Sequence, residues 1–163
     1  MKAPLIRLAP LMISSLLLAR PAGAQELTRA VEFQTLARNV MSGHAQKMNY
    51  VITSKEEWEA LWDKISSIYL PRPAAPEVDF SGESIIAVFQ GSQPSSGYST
   101  TVTKLVRSGR KLKVLVREVL PADDCPVLLV ITRPYEIIRT AKVKDADRVV
   151  FRVKQDVRVC GQN

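Results

Sequence analysis

Polar and apolar residues alternate along most of this chain, and the pattern turns helical only once. Val31, Phe33 and, after a slip, Leu36 mark a short strand over 30–38, ahead of the Ser42-Gly43 turn, and 48–53 reads as a second strand. Ser54-Lys55-Glu56-Glu57 then forms a capping box, in which the Ser54 hydroxyl accepts from the backbone three residues on and Glu57 reaches back. Trp58, Leu61, Trp62 and Ile65 follow at helical spacing, which predicts a helix with both tryptophans on the face that meets a sheet. A tryptophan pair could also stack on a ligand, but aromatic residues on an apolar helix stripe are usually core.

Pro71, Pro73 and Pro76 make the next stretch an extended connection. The run 84–89 is continuously apolar, as in a strand buried on both faces, whereas 99–106 and 112–120 alternate as strands with one wet face do. Ser108-Gly109 between them signals a tight hairpin. Another strand is expected at 128–132 or 135–139, on either side of the Arg133-Pro134 break. In the last strand Val149, Phe151, Val153, Val157 and Val159 alternate with charged residues. The fold class predicted is α+β, mostly β: an antiparallel sheet or sandwich with one amphipathic helix packed on it.

The N-terminus stands apart from this pattern. Lys2 and Arg7 precede an apolar run from Leu8 to Ala19, and Ala22-Gly23-Ala24 has the small side chains that signal peptidase requires. Residues 1–24 are read as a signal peptide and 25–163 as a single domain. The apolar run is interrupted by Pro10, Arg20 and Pro21 and falls short of the about 20 residues a membrane span needs, so no transmembrane anchor is expected after cleavage. No cysteine at the cleavage site suggests a lipid anchor, and the expected location is periplasmic or extracellular. Of 163 residues with a formal charge of +7, the leader carries Lys2, Arg7 and Arg20 and no acid, which leaves +4. The remaining basic residues are spread along strands with few aromatics among them, which argues for solvated faces and against nucleic acid as a partner. A basic face could still assist binding to an anionic envelope surface or an acidic partner.

Export places Cys125 and Cys160 in an oxidising compartment, where a disulfide is the natural reading. The rival reading, Cys125 as a nucleophile, needs a base, and nothing marks His44, the only histidine, as its partner. Other catalytic signals are weak. A His-rich zinc site is excluded, and no phosphate-binding glycine loop, helical HExxH or nucleophile elbow is present. Asp123-Asp124 could touch a cation but reads more readily as a solvated turn, and neither Ser95 nor Ser96 has a visible base. No enzymatic activity, cofactor or metal is expected.

The most distinctive stretch runs from Asp79-Phe80-Ser81 through an apolar strand into Gly91-Ser92-Gln93-Pro94-Ser95-Ser96-Gly97-Tyr98. Pro94 presets a turn and Gly97 can take positive φ, so the loop is either a turn alone or a rigid surface shown to a protein partner. Phe33 to Gly43, Ser54 to Trp62, Val78-Asp79-Phe80, the strand ending at Gly91, the Pro94 to Tyr98 loop and Pro134-Tyr135 occur in the order found in the PrcB family, and the chain resembles that family over 25–163. The resemblance implies an exported protein without recognised catalytic residues, related to a subunit that accompanies a surface serine protease. A partial resemblance to chagasin-like cysteine protease inhibitors competes with it. Those inhibitors fill an active-site cleft with loops similar to Gln93-Pro94-Ser95-Ser96-Gly97-Tyr98 and Arg133-Pro134-Tyr135. Candidate partner-binding residues are therefore Gly91, Gln93, Pro94, Ser95, Ser96, Gly97, Tyr98, Arg133, Pro134 and Tyr135. The partner expected is a secreted or envelope protease, accompanied or, in the alternative, inhibited.

Overall fold

Strand β4 (Glu83–Gln90) organises the molecule because its two faces bury separate apolar clusters. In this computed structural model, which describes residues 27–160, the other elements are β1 (Thr28–Val31), β2 (Phe33–Asn39), β3 (Lys47–Ile52), α1 (Lys55–Ser66), β5 (Ser99–Ser108), β6 (Lys111–Pro121), β7 (Tyr135–Ala141) and β8 (Arg148–Arg158). The reading of 1–24 as a signal peptide lies outside the described residues. Two four-stranded sheets form, in the orders β1-β5-β6-β8 and β2-β7-β4-β3. Ile86 and Val88 of β4 face the first sheet and join Val102, Leu105, Leu112, Val114, Val116 and Ile138 in the core between the sheets. Ile85, Ala87 and Phe89 point the other way, onto the helix stripe of Trp58, Leu61, Trp62 and Ile65. The result is helix on sheet on sheet, and the expected fold class and the double-sided burial of 84–89 are both present.

The helix starts where the capping box places it. Ser54 Oγ accepts from Glu57 N at 3.3 Å, although the Glu57 carboxylate reaches Thr53 N, at 3.4 Å, in place of the cap's own amide. Both indoles are held by the proline-rich connection: Trp58 Nε1 donates to Pro76 O at 2.9 Å and Trp62 Nε1 to Pro73 O at 2.8 Å. That satisfies the polar edge of each ring while its body is buried.

Two strand expectations need correction, and one open alternative is decided. The single strand expected over 30–38 is two, broken at Glu32, because the chain turns a corner there: β1 pairs with β5 and β2 pairs with β7 in the other sheet. Of the alternatives 128–132 and 135–139 only the second is a strand, and the first is an irregular ribbon with one bridge. The last strand is parallel to β6, since β7 intervenes in the other sheet and returns the chain to the same end. Its apolar face is buried only in part. Val149 and Phe151 pack on the core, but Val153 and Val157 run past it, beside Gln155, which donates to Glu118 at 3.0 Å.

Two buried carboxylates sit between the sheets, each paired. Glu136 accepts from Thr35 Oγ1, the Arg38 guanidinium and the Val102 amide at the bulge in β5. Glu118 accepts from Lys47 Nζ at 2.7 Å as well as from Gln155. Each carboxyl group thereby has the hydrogen bonds that make burial tolerable.

Candidate functional site

The strands pair so that the loops after β2, β4 and β6 emerge at one end of the molecule. There the two stretches singled out in the sequence meet. Gln93 N donates to Thr132 O at 2.8 Å and Thr132 N returns to Gln93 O at 3.0 Å. The Thr132 hydroxyl donates to Ser95 O at 2.8 Å, Ser96 N to Leu128 O at 2.9 Å, and Leu128 N to Ser96 Oγ at 2.9 Å. The ribbon 128–132 is thus laced to the 93–96 turn at both of its ends.

The candidate residues divide by burial. Gly91 is buried with φ +81°, and a β-carbon there would stand 2.8 Å from Lys47 N, so glycine is required by the close approach of β3. Ser95, Pro134 and Tyr135 are also buried; Tyr135 stacks on Phe89 with ring centroids 5.8 Å apart, and Pro134 O accepts from Gln90 N. These four hold the end together from within. Gln93, Ser96, Tyr98 and Arg133 are half-buried, and Pro94 and Gly97 are exposed. Gly97 has the positive φ expected of it, +94°, against Pro121 and Val127. Arg133 ties in the loop after β2, since its amide donates to Val40 O and its guanidinium to Ser42 O and Ser92 Oγ.

What the sequence reading missed lies between them. Leu128, Leu129, Val130 and Ile131 are 71, 93, 44 and 60 % exposed, and Val40 and Met41 lie open on the loop that Arg133 holds. Four successive apolar residues resemble a buried strand, which is why periodicity alone left 128–132 as one of two strand alternatives. The available signal was their flanks, Pro126 on one side and Arg133-Pro134 on the other, which favour a loop. An exposed apolar run of this kind marks a surface for another molecule more often than chance.

The proposed chemistry of single residues resolves differently. Cys125 is bonded to Cys160, with Cα atoms 5.1 Å apart, so the thiol nucleophile reading fails. Asp123 and Asp124 are exposed residues of the turn closed by Cys125 N to Ala122 O. Among the described residues no group of three His, Cys, Asp or Glu side chains could hold a metal ion. Tyr135 is held above the usual phenol range by burial, with the nearby Tyr69 adding to the effect.

His44 is buried beneath this end, stacked on Phe89 at 4.2 Å with Nε2 2.8 Å from the Tyr50 hydroxyl. Nδ1 has no hydrogen-bond partner. Burial pushes its pKa below the usual 6.5, and the charge of Lys64 adds to this. The folded state therefore binds a proton less readily than the unfolded chain. Stability is full above about pH 6.5, the unfolded value, and falls as the pH drops from there toward the depressed folded value. Denaturant unfolding at pH 7.5 and at pH 5.5 should show a lower midpoint at the acid pH, and His44→Phe should flatten that difference. An equal slope in the variant would remove His44 as its source.

The class that emerges is a two-sheet β sandwich backed by one helix, with an apolar surface built from loops at one end. Residues 84–141, which run from β4 to β7 and include both laced loops, match the protein family described as PrcB C-terminal. The match bears out the PrcB resemblance across that segment, and β1, β2, β3, α1 and β8 lie beyond it. No curated protein and no solved structure matches the chain.

Proposed function

We propose that this protein is an exported, non-enzymatic interaction module that accompanies a protease, docking through the apolar end. The observation that carries the reading is the exposed run Leu128 to Ile131, fixed on both sides to the 93–96 turn. Hydrogen bonds on both flanks limit the ordering entropy that docking of the loop would otherwise cost. The PrcB match supports association with a protease complex. The Cys125–Cys160 disulfide favours an oxidising location, periplasmic or extracellular, and among the described residues no helix is long and apolar enough to cross a membrane.

The test is co-purification from the secreted and envelope fractions of the source cells, with captured proteases revealed by a fluorophosphonate probe for active serine hydrolases. A labelled protease should be recovered with the wild-type protein. Leu129→Asp with Ile131→Asp should reduce recovery by about tenfold or more, as loss of central apolar contacts does, without changing the unfolding midpoint. Gly97→Val is a poorer probe, because positive φ strains the turn itself. Absence of any labelled protease, or undiminished recovery with the double variant, would sink the reading.

One observation favours inhibition as a second reading: the Gln93–Thr132 bridge sets two loops side by side, as a cleft-filling inhibitor needs. Pro134 and Tyr135 are buried, however, so the second loop would present Leu129 and Ile131. Stoichiometric inhibition of papain would support this, and none at large molar excess would exclude it for papain-like enzymes.

A further inference from the structure

The end opposite the apolar loops is basic. There β1, the β5–β6 hairpin and the segment after β7 enclose an open cleft of about 670 Å³ lined by Arg29, Arg107, Arg110, Lys142, Lys144 and a single carboxylate, Asp147. That carboxylate is already engaged, accepting from Arg107 at 2.7 Å and from the Lys144 amide at 3.1 Å, and the Arg107 guanidinium holds it below the ordinary carboxylate range. The Lys142 ammonium is engaged elsewhere, donating to the carbonyls of Thr53 and Phe80, at 2.9 and 2.6 Å, which do not line the cleft. Arg29, Arg110 and Lys144 are exposed and form no ion pair among the described residues.

Strand register concentrates the charge further. Arg29 stands directly opposite Arg107 in the β1–β5 ladder, so the two side chains share the face of the sheet that lines the cleft. Asp147 takes up the charge of Arg107, which leaves the facing Arg29 for a bound anion. Cations gathered at a concave wall also concentrate field and counter-ions beyond what scattered charges do.

We propose that this cleft is a binding site for phosphate groups, with Arg29, Arg110 and Lys144 as the contacting cations. Two arginines and a lysine suit a phosphate, whose several oxygens accept bidentate and point-charge donors together. The source is either a soluble phosphate ester or the headgroup of an anionic lipid. With a lipid headgroup bound, the apolar loops would point away from the lipid surface, because the two features lie at opposite ends of the same strands.

Binding is tested on the purified protein at low salt with two probes, inorganic pyrophosphate followed by amide chemical shifts, and phosphatidylglycerol–phosphatidylcholine vesicles followed by co-sedimentation. Saturable shifts centred on Gly109, Arg110 and Lys144 with pyrophosphate would support the site with a soluble source. Binding to the anionic vesicles alone, and not to pure phosphatidylcholine, would support it with a headgroup source. Arg29→Ala, Arg110→Ala and Lys144→Ala together should weaken whichever binding is seen by about tenfold or more, as loss of charge-assisted hydrogen bonds does. The control is Lys55→Ala, Arg72→Ala and Lys104→Ala, which removes the same charge outside the cleft. An equal loss in the control would show diffuse attraction and overturn the proposal, as would no binding of either probe.

Discussion

Trp58→Ala is expected to lower the unfolding free energy by about 3–5 kcal/mol, the largest effect of any single substitution considered for this protein. Trp58 is 2 % exposed at the centre of the cluster formed by α1 and the outer face of β4, with the Trp62 ring 5.3 Å away. Truncation would leave a cavity between a helix and a sheet, two rigid surfaces that cannot close on it, and would orphan the Pro76 carbonyl that Nε1 now satisfies. Trp58→Phe should separate the two contributions, costing about 1 kcal/mol for the hydrogen bond together with a smaller cavity cost. Chemical denaturation followed by far-ultraviolet circular dichroism measures both. A loss below about 1 kcal/mol for the alanine variant would mean that the helix does not depend on this anchor.

Removing the disulfide comes next. The bridge closes a loop with a sequence separation of 35, for which unfolded-state entropy gives about 3–4 kcal/mol, so Cys125→Ser with Cys160→Ser should be less stable by that amount. A local effect should accompany the global one. Cys125 roots the segment that carries Leu128 to Ile131, and Cys160 follows β8, whose Arg158 carbonyl accepts from Ala122 N. Freed from β8, the ribbon should open more often, and amide exchange at Leu128 and Thr132 should accelerate more than at the β4–β7 ladder. If exchange at those two amides rose only in step with global unfolding, the bridge would be a staple for the whole fold with no special hold on the candidate site.

Much of the architecture is legible in the residues themselves because local rules and tertiary packing agree. The capping box, the stripe from Trp58 to Ile65, the two-sided apolar run of β4 and the Ser108-Gly109 hairpin each show one period or one turn chemistry, and each is where it was expected. The disulfide was also legible, from the count of two cysteines and the oxidising compartment the sequence led us to expect. The failures share a cause. Glu32 is one residue in an otherwise continuous alternation, yet the chain changes sheets there, and alternation is blind to which sheet a strand joins. Val153 and Val157 keep the period of buried residues but extend beyond the core that would cover them.

For the candidate site, residue types announced the turn: Pro94, Ser95, Ser96 and Gly97 are a turn by their own chemistry, and Gly97 has the positive φ that chemistry allows. They could not announce which of their side chains would face water. By itself the sequence determined the helix and its face, most of the strands, the pairing of cysteines and the presence of a shaped loop, since these depend on neighbours a few residues apart or on composition. Only the tertiary structure decided that Gln93 bridges Thr132, that Tyr135 is packed on Phe89 while Leu129 is left open, and that the free cations gather at the far end. Those outcomes depend on strand order and register between residues tens of positions apart, and no local period encodes them.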